Sequence, residues 1–297
     1  MLETVLLTNI GLAAYNFKHH VSSNLPCHNQ MIPRDNLKSQ QYLDSIQKWT
    51  EDKKMVLNEK KTKNIIFNFS KSKQFVTDLK LKNEELEVVN ETKLLGVFIT
   101  SDLKWNKNTD YLIKDANRRM KLLHKAAKFS NNLQDLLIIY KTFIRSKLEQ
   151  SASVWHSSLS ECNISDLERV QKSALKVILK DKYKDYKNAL LTLNIESLYD
   201  RRESLCLKFA KKGLKLEHFK KLFPIQKTLH VMEKRSSEKF TVNSARTKRY
   251  FKSSIPSMQR MLNNYEKDLK RVLRVSSVPN ELYPCNSLVL KFLTINI

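Results

Sequence analysis

The chain reads as an α+β protein, predominantly helical: a small antiparallel sheet with a hairpin, followed by a helical bundle. Three observations carry that reading. Glycine and proline are scarce, 3 and 6 among 297 residues, too few for the tight turns of a sandwich or barrel. Runs rich in β-formers lie between about residues 63 and 99. From Asn108 onward apolar residues recur every three or four positions, the period of a helix buried along one side. Hydrophobic residues make up 41% of the chain, slightly below ordinary globular composition but enough for a core in one or two domains.

The elements follow in order. MLETVLLTNIGLAAY opens the chain and is apolar over about the length of a signal h-region. It carries Glu3, lacks a basic flank and is too short to span a bilayer, so it reads as a core segment or a frayed end. Pro26, Pro33 and the polar run between them read as loop. Leu43, Ile46 and Trp49 share one helical face, and Leu57-Asn58 is expected to end that helix. Lys63 to Phe69 is expected to be a strand, Phe75 to Leu81 alternates loosely, and Leu86 to Val89 is β-prone. Lys93 to Ile99 forms a hairpin whose turn is written around Gly96, where a bulge or a close backbone approach is expected. One helix covers this sheet.

The first long helix places Leu112, Ala116, Met120, Leu123 and Ala127 inward, leaving Lys114, Arg118, Lys121, Lys125 and Lys128 mainly on its flanks. A second runs from about Leu133 to Gln150 with Leu136, Tyr140, Phe143, Ile144 and Leu148 inward. A third starts at Ser165, whose spacing to Glu168 is that of a capping box, and buries Leu167, Val170, Ala174, Val177 and Ile178. Shorter helices are expected over Lys184–Leu193 and Ile195–Leu214, the last ending near Gly213. Residues 215–275 read as basic and mostly irregular with one helix from about Pro256 to Leu273, and SLVLKFLTINI at the end reads as a short strand. No internal repeat is visible.

A formal charge of +24 and an isoelectric point near 9.8 are the loudest bulk signals. A field of that size favours polyanions, nucleic acid first and an anionic membrane second, with a solvated lysine-rich surface as the bland alternative. Residues 201–275 hold 21 Lys+Arg against 6 Asp+Glu, a net of +15. The membrane reading is the weaker, because the basic segments lack the long apolar faces that interfacial helices need. Four cysteines, Cys27, Cys162, Cys206 and Cys285, stand far apart with no C-x-x-C, which suits a reducing compartment. An intracellular protein, nuclear or cytoplasmic, is expected.

Several of these pieces carry a more specific pattern. Trp49 to Thr62 reads W-x7-L-N-x-x-K-T, and Leu95 to Trp105 reads L-G-V-x-I-x-x-x-L-x-W. Together they resemble the closing part of the reverse transcriptase domain of non-LTR (LINE-type, jockey-like) retrotransposons. YKTFIRSKLEQSASVWHSS (Tyr140–Ser158) looks like that family's thumb segment, with Gln150 where an aromatic residue is usual. LERVQKSALKVIL (Leu167–Leu179), LNIESLYDRRESLCLKFAKK (Leu193–Lys212) and FTVNSARTKRYFKSSIPSMQRMLN (Phe240–Asn263) are similar to the helices and tail that follow. The likeness covers about Ser39 to Asn264. It implies a division into an unmatched segment (1–36), a palm-end remnant with its hairpin (37–105), a thumb-like bundle (106–214) and a basic C-terminal tail (215–297).

The resemblance also implies site residues. Lys61 falls on the lysine of the family's fourth palm motif, near the incoming nucleotide. The plain alternative is a solvated lysine in a run with Lys53, Lys54, Lys60 and Lys63. Leu95, Gly96 and Val97 fall on the hairpin that grips the primer end, where Gly96 either lets the backbone approach nucleic acid closely or merely shapes a bulge. Charge adds Arg118, Lys121, Lys125, Arg246, Lys248 and Arg249 as candidate phosphate contacts, with Tyr250, Phe251 and Tyr265 as candidate base-stacking rings. Trp49, Trp105 and Trp155 read as core.

Catalysis is not expected. Nucleotidyl transfer needs two clustered divalent cations, and hard cations need clustered carboxylates. The family supplies an aromatic-x-Asp-Asp turn ahead of the Leu43 helix. Here that stretch reads LPCHNQMIPRDNLKSQQY, with Asp35 a lone acid, and no two aspartates are adjacent anywhere in the chain. No Gly-rich phosphate loop, G-x-S-x-G or H-E-x-x-H is present, and His19, His20, Cys27 and His28 fit no zinc spacing. The expectation is a truncated remnant, catalytically inert alone, that binds RNA or DNA without sequence preference. It would need no cofactor, with Mg²⁺ entering only alongside a catalytic palm upstream; no membrane and no small-molecule substrate are expected. The alternative is the C-terminal part of an active RNA-directed DNA polymerase whose catalytic palm lies in missing upstream sequence.

Overall fold

The computed structural model describes residues 2–7, 36–68, 78–82, 84–225, 239–242 and 244–276. They form an α+β fold that is mostly helical, with small antiparallel strand pairs. The chain divides into two compact units, residues 1–119 and 120–297. His19, His20, Cys27, His28, Asp35, Cys285, residues 75–77 of the expected Phe75–Leu81 run and the expected C-terminal strand lie outside the described residues.

In the first unit β1 (Leu2–Leu7) pairs antiparallel with β2 (Lys63–Asn68), Leu2 opposite Asn68 and Leu7 opposite Lys63. Between them in sequence runs α1 (Asn36–Asp52). It ends one turn earlier than the sequence suggests. Lys54 takes φ 55°, and the Met55 N–H reaches back to the Thr50 carbonyl at 2.8 Å, a left-handed closure made without glycine. Asn58, expected to finish the helix, instead starts a short 3₁₀ turn (Glu59–Lys61), its side-chain oxygen accepting from the Lys61 N–H at 3.0 Å. Leu43, Leu57, Leu79, Leu81 and Leu86 form one small core with Ile46 against it. Ile65 and Phe67 form another, flanked by Val89, Leu94, Ile99 and Leu103.

Among the described residues the strands make three separate pairs rather than one sheet. Beside β1–β2 stand β3 (Lys80–Leu81) with β4 (Glu84–Glu85), and β5 (Glu91–Leu94) with β6 (Val97–Thr100). The Leu86–Val89 run contributes a single bridge, Asn64 to Val88. Leu94 pairs with Val97, so the hairpin loop is Leu95-Gly96 alone, and both residues have positive φ (48° and 86°). That is the requirement of a type I′ turn, so no bulge is needed and Gly96 serves the turn itself.

In α2 (Asn106–Phe129) the five predicted inward residues are all buried, Ala116 and Leu123 completely. The next helix is interrupted. α3 (Leu133–Ile139) passes into a π-helical turn (Tyr140–Arg145) and then into the single turn α4 (Ser146–Leu148). Leu136, Tyr140, Ile144 and Leu148 are fully buried, but Phe143, expected inward, is 50% exposed. In a regular α-helix a step of four overshoots one turn by about 40°, so three and four alternate. The wider π turn suits a repeated step of four, and the residue at plus three leaves the core face.

α5 (Ala152–Trp155) follows, then α6 (Glu161–Leu179). α6 starts a turn before the predicted capping box. Ser160 is its N-cap, accepting from the Asn163 N–H at 3.2 Å, while Ser165 sits inside. Val177 is only half-buried and Leu175 takes the core position. α7 (Tyr186–Thr192) and α8 (Leu198–Gly213) are capped by Asp185 and Ser197. The basic stretch beyond is more ordered than its composition suggests. It contains α9 (Glu217–Lys220), α10 (Lys248–Phe251) and the long α11 (Ser254–Ser276). Phe223, Phe240, Met258 and Leu262 share one core with Ala210 of α8, because apolar residues are interleaved among the lysines and their burial outweighs the pull of charge toward solvent.

Candidate nucleic-acid interface

The proposed site residues fall on four places. In the first unit Lys61 closes the 3₁₀ turn, exposed, with its side chain unpaired among the described residues. Gly96 lies in the hairpin turn beside Leu95, which is 75% exposed. Nothing in hydrogen bonding links Lys61 to Gly96. Behind the hairpin, Lys93 donates to the Tyr111 hydroxyl at 2.8 Å and sits 4.1 Å over that ring, which fixes β5 against α2. Arg118 is also in this unit and pairs with Asp115 at 3.7 Å across an exposed surface, an interaction worth little in water.

In the second unit Lys121 and Lys125 stand exposed on α2, four residues apart and so on one face, with neither ion-paired among the described residues. Lys128 continues the row. The remaining three candidates lie together. Arg246 precedes α10, Thr247 caps it by accepting from the Tyr250 N–H at 3.2 Å, and Lys248 and Arg249 are its first residues, all exposed. This corner is anchored to the body of the unit. Ser158 donates to the Lys252 carbonyl at 2.9 Å, and Ser254 donates to the Val154 carbonyl.

The charge count overstates the cations free to meet phosphates. Arg202 is fully buried, its Nε donating to His156 Nδ1 at 3.3 Å and its guanidinium 5.7 Å from the Trp155 ring centroid. Arg201 and Arg145 both pair with Glu149 at 3.2 Å. Lys220 pairs with Glu217 and Lys239 with Glu266. Lys211 sits 3.3 Å over the Tyr265 ring, which is itself half-buried, so Tyr265 is not an open stacking surface. Trp155 and Trp105 are core as expected, and Trp49 is half-buried.

Around Arg202 lies a polar network that holds the helices in place. Tyr140 donates to Gln171, Gln171 donates to the Tyr186 hydroxyl at 2.9 Å and to the Glu196 carbonyl at 3.0 Å, and Tyr186 donates to Glu168 at 2.6 Å. The other Glu168 oxygen accepts from the Tyr199 N–H at 2.9 Å. Glu168 thus neutralises the start of α8 rather than the start of its own helix. Burial raises Tyr140 well above its ordinary value, and burial with the Glu168 bond raises Tyr186. Burial, with the Arg202 charge, lowers His156 to about 4, and burial lifts the Cys206 thiol to about 12.

Sequence reasoning missed two participants in the basic corner. Lys252 is exposed beside Phe251, and Arg260 lays its guanidinium 3.7 Å over the Phe251 ring while Nη2 donates to the Phe251 carbonyl at 2.6 Å. The nine-residue separation of Phe251 and Arg260 crosses a helix break, so no periodicity announces the contact. Among the described residues no three His, Cys, Asp or Glu side chains gather into a group that would hold a metal ion, and no helix is long and apolar enough to cross a membrane. No family model, curated protein or solved structure matches this chain.

Proposed function

We propose that this chain binds RNA or DNA with little sequence preference, and that it is related to the closing palm segment and thumb of LINE-type reverse transcriptases. Nucleotide transfer is not among its own activities in this reading, because its sequence offers no paired aspartates to seat two cations. The observation that carries the proposal is the α10 corner. From Phe240 to Asn263 the chain has five Lys+Arg and no Asp or Glu, and Arg246, Lys248 and Lys252 are exposed with no ion pair to any described residue. Lys121, Lys125 and Lys128 on α2 support it. Such cations position a polyphosphate backbone without reading bases.

A filter-binding titration of a mixed-sequence oligonucleotide across salt concentrations tests this. The logarithm of affinity falls linearly with the logarithm of salt, by about 0.7–0.9 per phosphate neutralised. The combined Arg246→Glu, Lys248→Glu and Arg249→Glu variant binds at least about tenfold more weakly at low salt while melting at the same temperature. Absence of binding at low salt rejects the proposal. Extension of a primer by the purified chain with Mg²⁺ or Mn²⁺ overturns the inert part of it.

A further inference from the structure

We propose that the α10 corner selects single-stranded over duplex nucleic acid by stacking bases on Tyr250 and Phe251, an inference that rests on the nucleic-acid reading above. A duplex turns its base faces inward and offers a side chain its phosphates and groove edges. Cations alone serve that target. This corner adds aromatic surface to its cations. Tyr250 is 43% exposed and Phe251 is 50% exposed, and they sit among exposed Arg246, Lys248 and Lys252. Unstacked bases present π-faces that such rings accept whatever the sequence, while the neighbouring cations follow the backbone.

The geometry holds the platform ready. Arg260 covers the Phe251 ring from one side at 3.7 Å and grips the carbonyl of the same residue at 2.6 Å, so ring and backbone are fixed together. Phe251 stays 50% exposed beside that contact, and a base stacked on the exposed part of its ring would complete a sandwich of base, ring and cation. Ser253 donates to the Tyr250 carbonyl at 2.7 Å, Thr247 accepts from its N–H, and Ser158 holds the Lys252 carbonyl. A platform whose backbone is already tied down loses little entropy when it binds. Tyr265 gives the contrast, since its ring carries Lys211 at 3.3 Å and is half-buried. The occupant that suits both the charge and the rings is a short run of unpaired nucleotides.

Fluorescence anisotropy with a labelled single-stranded RNA, the same sequence as DNA, and a blunt duplex, all at one salt concentration, tests this. Either single strand binds at least about tenfold more tightly than the duplex, and the RNA and DNA arms show which sugar is preferred. Phe251→Ala and Tyr250→Ala each weaken single-strand binding by about 5- to 150-fold with duplex binding little changed. Phe251→Trp keeps single-strand affinity, and unchanged melting temperatures separate lost stacking from lost folding. If duplex and single strand bind alike and the alanine variants leave both affinities unchanged, or lower both equally, this inference falls and the general one stands. If no oligonucleotide binds, both fall.

Discussion

His156 and Arg202 form a buried pair in which the arginine donates and the imidazole accepts through Nδ1. A proton on Nδ1 would remove the acceptor and set two positive groups against each other, which is why burial and Arg202 hold His156 down to about 4. In an unfolded chain His156 titrates near 6.5. The unfolded state therefore takes up the proton first as the pH falls. The contribution is complete above about pH 6.5 and is lost progressively toward about pH 4, about 3 kcal/mol in all at about 1.36 kcal/mol per pKa unit. Urea melts at pH 7 and at pH 4.5 should show this loss in the native chain. In His156→Asn, whose side-chain oxygen can still accept from Arg202 but does not titrate, the loss across that interval shrinks by most of that amount. An identical pH dependence in the two chains would remove His156 as its source.

At the scale of the element, α6 shows how a good local signal can point to the wrong residue. Ser165 and Glu168 have capping-box spacing, but Ser160 followed by Glu161 offers an N-cap one turn earlier, and the helix that begins there buries Asn163 and Leu167. Glu168 is then free to cap α8 through the Tyr199 N–H. Ser160→Ala should cost about 1 kcal/mol of stability, whereas Ser165→Ala, within the helix, should change it by no more than about 0.5 kcal/mol; thermal melts of the two variants decide between the starts. Two hydroxyls bond back to carbonyls at the π turn after α3. Thr142 donates to the Ile138 carbonyl at 2.8 Å and Ser146 donates to the Thr142 carbonyl, bonding backbone oxygens where the regular ladder is disturbed.

For the whole molecule, the helical half was legible where one periodicity governs a long run, as with Leu112, Ala116, Met120, Leu123 and Ala127. It was not legible where neighbours of one type part ways. Arg201 lies partly open against Glu149 while Arg202 is buried, and nothing in the dipeptide says which arginine the core takes. The basic corner was visible as charge, but the Arg260 stack that steadies Phe251 depends on a chain reversal that no short window contains. Nor did a run of β-prone segments reveal that they pair two by two. In a two-stranded pair each strand has one side turned away from its neighbour, and on β2 that side is partly taken by the Asn64–Val88 bridge. Lys63, Lys80 and Lys93 lie on those strands, and lysine on an edge repels a second copy seeking to add itself. Lys63 and Lys80 are themselves paired with Glu87 and Glu85, and Lys93 is bonded to Tyr111, so the net charge of +24 is the larger expected barrier to self-association. Counter-ions that screen it should raise light scattering from a concentrated sample between about 0.05 M and 1 M salt, as the Debye length shrinks to about 3 Å, and a clear solution throughout would show that these margins are protected by other means.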